Sequence, residues 1–308
     1  MNNQFRHPKA ITRLIIATTS AFLLLLIIIF AYPAWQKHNI ELEKQALAQV
    51  TPPPKIFPSV MVEAKSAIVM EANTGKIIYN KNGNDKLPLA SITKLMTAYT
   101  ASQVLGGNDA VKISASALSG GSNAGLLVED IWSVNNLIDY MLTTSANGAA
   151  SALAETANAR GFNFVTLMND NASKIGLTTT QYINETGLDL GYNYGGSYGS
   201  AHDTAKLMRY IIKNKPQLLQ TTVRPSILTS STSGLVYAGN NTNDIVGKIP
   251  GLIASKTGYT DSAGGNLVVA LDAGLAQPVI VVVLGSSKDG RFTDVLALAK
   301  ATVTYYSE

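Results

Sequence analysis

The longest apolar run lies near the start of the chain, where Leu14 to Trp35 contains no charged residue. As a helix this run would span about 33 Å at ~1.5 Å per residue, enough to cross a bilayer. Arg6, Lys9 and Arg13 precede it, which predicts a cytoplasmic N-terminus, and Tyr32 and Trp35 sit where interfacial aromatics are expected. The best small-x-small cleavage site, Ala46-Leu47-Ala48, lies far beyond the run, and Pro33 interrupts the nearer region. An uncleaved anchor is therefore favoured over a cleaved signal peptide. Residues 36–57 are polar and include Thr51-Pro52-Pro53-Pro54, which predicts an extended polyproline stalk. The expected division is a cytoplasmic tail over 1–13, a single transmembrane anchor over 14–35, a stalk over 36–57 and an extracytoplasmic domain over 58–308.

Within that domain, SAIVMEANTGKIIYN predicts a β-hairpin turning at Asn73-Thr74-Gly75. A helix is expected from Ser91 to Leu105, stopped by Gly106-Gly107. Further helices are expected at 134–142, capped by Ser133, and at 146–160, 162–175, 202–214 and 291–306. Residues 176–200, rich in Gly, Asn, Thr and Tyr, read as a long loop of the kind that often carries function. LIASKTG, NLVVALDAG and PVIVVVLGS are β-branched runs that predict strands. Strands at both ends and helices between them suggest one sheet built from the two ends of the domain, with a helical region inserted.

Charge narrows the function. Residues 1–37 hold Arg6, Lys9, Arg13 and Lys37 and no acid, so of 24 basic residues 20 remain against 20 acidic ones. The net +4 resides in the N-terminal segment, and no basic face is left for nucleic acid. Cysteine is absent, which removes thiol nucleophiles, disulfides and cysteine-ligated metals. The three histidines, His7, His38 and His202, are scattered, so no metal or cofactor is expected.

The chemistry concentrates in ASITKLMTA, residues 90–98. Lys94 follows Ser91 by three positions and shares its helix face. A lysine can run its stem along a helix to reach water. It can also take the serine proton, provided that burial or a second cation keeps it neutral. Ser145-Ala146-Asn147 places a hydroxyl and an amide at a helix start, and Lys256-Thr257-Gly258 ends an apolar strand. Each alone has a plain structural explanation, a cap or a solvated strand end, but the ordered set does not arise readily by chance.

Ser-x-x-Lys, Ser-x-Asn and Lys-Thr-Gly in this order form the motif set of penicillin-binding proteins and serine β-lactamases. The flanks ASITKLMTA, TSANGAASALAE, INETGLDLG, SAHDTAKLMRYI and KTGYTDSAGGNLVVAL resemble the S11 serine D-Ala-D-Ala carboxypeptidases over about residues 59–306. The resemblance implies an α/β (α+β) fold of the β-lactamase/transpeptidase type, an antiparallel sheet flanked by helices with an inserted helical subdomain. It implies a membrane-tethered enzyme that trims the terminal D-alanine from peptidoglycan stem peptides and is acylated by β-lactams. The implied roles are Ser91 as nucleophile, Lys94 as base, Ser145 as proton relay, Asn147 as orienter, and Lys256 as the second cation that keeps Lys94 neutral. Lys256 and Thr257 would attract the terminal carboxylate, with Gly258 and Thr260 beside them. The backbone amides of Ser91 and Tyr259 would form the oxyanion hole. Arg291 is expected either to hold the carboxylate or to be a surface arginine at a helix start.

Gly148 stands where the family usually has Asp, which is expected to loosen a helix start, and Tyr259 stands where many members have His. The β-rich C-terminal domain and tail of many relatives are expected to be missing, with the N-terminal anchor expected to take over the tethering. Four other readings stand beside the carboxypeptidase. A Ser-His-Asp hydrolase would use His202 and Asp203. A class A-like β-lactamase would use Glu185. A DD-endopeptidase shares every catalytic residue, and a non-catalytic wall-binding protein would need none of them.

Overall fold

The computed structural model describes residues 8–49, 55–274 and 276–307. The chain divides into two units, Met1–Lys55 and Ile56–Glu308. In the first, helix Pro8–Leu26 passes through a π-helical turn, Ile27–Ala31, into helix Tyr32–Gln49. Thr12–Gln45 is long and apolar enough to cross a membrane, with a mean hydropathy of 2.8 in its most apolar stretch. The polar residues expected to be an extended stalk are helical as far as Gln49. Pro33 lies two residues beyond the π turn, an irregularity that absorbs a missing N–H. The Glu, Leu, Lys, Gln and Ala residues beyond it are strong helix formers. The prolines at 52–54 lie outside the described residues.

The second unit contains strands β1 (Ser66–Glu71) and β2 (Ile77–Lys81), which form the expected hairpin, and β3 (Leu252–Thr260), β4 (Gly264–Asp272) and β5 (Pro278–Ser286). Its longer helices are α1 (Lys94–Val104), α2 (Val134–Thr144), α3 (Asn147–Ala159), α4 (Phe164–Ile175), α5 (Ala201–Asn214) and α6 (Gly290–Ser307). The five strands form one antiparallel sheet in the order β3-β4-β5-β1-β2. β1 meets β5 in the register Ser66↔Leu284 to Glu71↔Val279, so the two ends of the domain close one sheet, and β3 is left at an edge. The central strands are apolar on both faces because both are covered. Val69, Val269 and Val281 face Val295 and Leu298 of α6. Ile68, Val268, Ile280 and Val282 join the core built with Leu95, Met141, Leu153 and Met208 of the helical region.

Ser133 caps α2 as expected, accepting the Asn136 N–H at 3.2 Å. The expected 91–105 helix instead starts with a 3-10 turn, Ala90–Thr93, before α1. The 176–200 loop contains two short strands, Gln181–Tyr182 and Ser197–Gly199, that pair with each other, and the second also pairs with Leu87–Pro88. Strands this short carry no readable periodicity.

Candidate active site

The turn carrying Ser91 is strained on its upstream side. Ala90 has φ of +49°, a left-handed conformation for a residue with a Cβ, which costs about 1–3 kcal/mol. Thr93 Oγ1 donates to the Ala90 carbonyl at 2.6 Å, and Thr93 is in turn hydrogen-bonded to the buried Ser197 hydroxyl. Residues three apart eclipse one another in a 3-10 turn, so Lys94 stands directly over Ser91.

Lys94 is fully buried, and its Nζ lies 2.8 Å from Ser91 Oγ, 2.7 Å from Asn147 Oδ1 and 2.8 Å from the Thr186 carbonyl oxygen. The last two atoms can only accept hydrogen bonds. A neutral amine has two N–H bonds and one lone pair. When the two acceptors take the N–H bonds, the lone pair faces the Ser91 hydroxyl. Burial pushes the Lys94 amine down to about 7, and the Glu185 carboxylate partly opposes that fall.

Lys256 is also buried, on edge strand β3, with Nζ 2.8 Å from Ser145 Oγ and 2.9 Å from the Thr257 carbonyl. Ser145 ends α2 in a left-handed conformation, φ +62°, and so turns back toward Lys256. Burial lowers the Lys256 amine well below the lysine range, and the charges of Lys94 and Arg291 push it further down. Burial is the largest cause of the lowering at each lysine, and two ammonium groups placed here would each resist the other's charge.

Arg291 is buried at the start of α6 and donates Nη1 to the Gly258 carbonyl at 2.9 Å, which excludes the surface-arginine alternative. Gly258 packs on the nucleophile turn: a Cβ there would lie 3.1 Å from Ser91 N and 2.8 Å from the Leu89 carbonyl. Tyr259 pairs with Gly265, and its side chain is 44% exposed beside Lys288. Thr257 Oγ1 contacts Thr242 Oγ1 at 2.6 Å. The Thr260 hydroxyl is committed to Asp189 Oδ1 at 2.9 Å. Among the described residues no group of three or more His, Asp or Glu side chains could hold a metal ion.

Residues 184–189, within the INETGLDLG flank, form a wall of the site. Asn184 Oδ1 accepts the N–H groups of Thr186 and Gly187 at 3.2 and 2.7 Å, which orients the Thr186 carbonyl toward Lys94. Asp189 accepts Thr260 and the Ser262 N–H, which pins the wall to the end of β3. A Cβ on Gly187 would lie 1.9 Å from the Ala90 carbonyl, at φ +79°. Gly187→Ala is therefore expected to shift the wall off the nucleophile turn, at a cost of roughly 1–3 kcal/mol or more. Thermal unfolding and penicillin acylation, both lowered, would check this. The run INETGLDLG held the signal, an asparagine followed by a glycine at positive φ.

The sequence profile of the D-alanyl-D-alanine carboxypeptidase family matches residues 49–288. The chain belongs to this family. It is 32% identical over 250 residues to the D-alanyl-D-alanine carboxypeptidase DacF of Bacillus subtilis, covering 79% of this chain and 63% of the relative, so it spans less than two thirds of DacF. It is 29% identical to a D-alanyl-D-alanine endopeptidase of Pseudomonas aeruginosa, covering 85% of this chain and 84% of the relative. Among solved structures, ampicillin-bound penicillin-binding protein D2 of Listeria monocytogenes superposes with a TM-score of 0.70 at 29% identity, over 80% of this chain and 99% of that one.

Gly148, where the resemblance leads one to expect Asp, lies at the start of α3. A Cβ there would lie 2.5 Å from Leu118 Cδ2, and its N–H donates to Asn123 Oδ1 at 3.1 Å. Glu185 is part of the site wall: its carbonyl accepts Thr97 Oγ1 and its carboxylate accepts Ser151 Oγ, both at 2.6 Å. Asp203 is bound by Thr179, whose N–H and hydroxyl both donate at 2.7 Å, rather than serving His202 as a triad would require. Gly195-Gly196-Ser197-Tyr198-Gly199 matches the spelling of a nucleophile elbow, but Ser197 is buried on a short strand.

Proposed function

We propose that the protein is a membrane-anchored serine DD-carboxypeptidase of the cell-wall side, removing the terminal D-alanine from peptidoglycan stem peptides and acylated by β-lactams. The observation that carries this is the buried Lys94 amine 2.8 Å from Ser91 Oγ, with Asn147 Oδ1 and the Thr186 carbonyl as its other two partners. Lys94 takes the Ser91 proton as Oγ bonds to the penultimate D-alanine carbonyl carbon. The developing oxyanion is held by the amides of Ser91 and Tyr259. The C–N bond breaks, and the proton removed from Ser91 leaves on the departing amine, relayed through Ser145. Arg291 supplies positive charge, and Lys256 and Thr257 supply hydrogen-bond donors, for the substrate carboxylate. Water then attacks the ester, Lys94 takes its proton, and Ser91 is regenerated. The apolar stretch 14–35 anchors the chain, with the N-terminus cytoplasmic and the domain outside.

The full-length protein, given a diacetyl tripeptide ending in D-Ala-D-Ala, a cross-linked muropeptide and a chromogenic cephalosporin, is expected to release D-alanine from the tripeptide. Cleavage confined to the muropeptide would make it an endopeptidase, the reading that the Pseudomonas relative supports. Repeated cephalosporin turnover without D-alanine release would make it a β-lactamase.

A further inference from the structure

Beyond the site wall, the chain makes a small hairpin that no step of the proposed reaction uses. Gly191 and Tyr194 form a β-bridge, the Leu190 N–H donates to the Tyr194 carbonyl at 2.8 Å, and Asn193 takes the left-handed turn position at φ +57°. Both ends are fixed. Asp189 holds Thr260 and Ser262 at the end of β3, and the Gly195 N–H donates to the Tyr198 hydroxyl at 2.9 Å. What this rigid element presents is apolar and aromatic: Tyr192 is 96% exposed, Leu190 56% and Tyr194 53%. Turn tips ordinarily carry small polar residues. A tyrosine held fully open to water, on a loop fastened at both ends, indicates a contact made with something outside the chain.

The aromatic surface continues away from the tip. The Tyr194 and Tyr198 rings lie 6.5 Å apart, and Lys86 Nζ stands 5.8 Å from the Tyr198 centroid. Tyr198 pairs with Pro88, two residues upstream of the strained Ala90 turn. Tyr192 is three residues past Asp189, no more than about 11 Å along an extended chain. Tyr194, Tyr198 and Lys86 thus form an aromatic and cationic strip, and the Tyr192 tip stands on the same hairpin, which Asp189 ties to the end of β3.

The geometry points to this strip as a binding subsite for the polysaccharide strand to which the stem peptide is attached. This rests on the peptidoglycan reading of the site. Sugar rings offer apolar C–H faces between polar edges, and tyrosine offers a flat apolar face with a polar tip. Lys86 adds a cation for acidic substituents of the polymer. A glycan strand lying on the strip would deliver its stem peptide to the cleft and favour polymer-linked substrate over a free peptide.

The test uses the full-length protein, Tyr192→Ala and Tyr192→Trp. The first readout is co-sedimentation with purified glycan strands stripped of peptide, which needs no catalysis. Wild type and Tyr192→Trp are expected to bind and Tyr192→Ala to bind several-fold less. The second is the ratio of kcat/KM for un-cross-linked, glycan-linked pentapeptide to that for the free tripeptide. This ratio is expected to fall about five- to tenfold in Tyr192→Ala, the size of one lost aromatic contact. Equal glycan binding by wild type and Tyr192→Ala, or no binding by wild type, overturns the subsite. An unchanged kcat/KM ratio in an active enzyme does so too. If the wild type releases D-alanine from neither substrate, the carboxypeptidase reading fails, while sedimentation still decides the subsite.

Discussion

Ser91→Ala is expected to abolish covalent labelling by a fluorescent penicillin and to lower D-alanine release on the order of 10⁶-fold, the scale on which loss of a nucleophile is felt. No neighbouring hydroxyl is placed to substitute for it. Ser145 is turned toward Lys256. Thr93 and Ser197, though close in the fold, are engaged with each other and with the Ala90 carbonyl. The variant loses only the Ser91 contact with Lys94, which keeps its bonds to Asn147 and Thr186, so the fold should persist. Intact protein mass after incubation with penicillin is the measurement, and an adduct on Ser91→Ala at the wild-type level would sink the assignment.

Lys94→Met keeps the length of the side chain and removes the base. Acylation is expected to fall about 10²- to 10⁴-fold, the usual contribution of a positioned general base. The pH profile is the sharper measurement. With the amine lowered to about 7, Lys94 below that pH is an ammonium with three donors and no lone pair. Wild-type acylation should rise with pH to a midpoint near 7, and Lys94→Met should lose that limb. Stability carries the same signature. The folded pKa lies below the unfolded value of about 10.4, so between the two the unfolded chain binds more protons and this group's contribution to stability rises with pH. Below about 7 its penalty is fully present. The methionine variant should lack that slope, measured by denaturant midpoint across the window.

Much of this protein can be read along the chain. The N-terminal apolar helix, the hairpin at 66–81, the C-terminal strands and most of the helices follow from runs and periodicities of ten or so residues. So do Ser91, Lys94, Ser145, Asn147 and Lys256, because each sits in a short motif with a chemical reason. The contribution of Asn184, Thr186 and Asp189 was not legible, since they act through a backbone carbonyl and through hydrogen bonds to distant elements. Arg291 was ambiguous for a related reason. Whether an arginine at a helix start faces water or Gly258 depends on how α6 lies against β3.

The amino-acid sequence alone settled which chemical groups are available and in what order, because motif spacing within one turn fixes which side chains can share a face. The tertiary structure alone decided why the base is neutral. Spacing suggested that a second lysine forces the proton off Lys94. Three-dimensional packing seals Lys94 under Asn147 and the Thr186 carbonyl, and desolvation becomes the largest cause of its lowered pKa. Desolvation is set by how residues some fifty to ninety positions away close over an atom, and no local pattern encodes that.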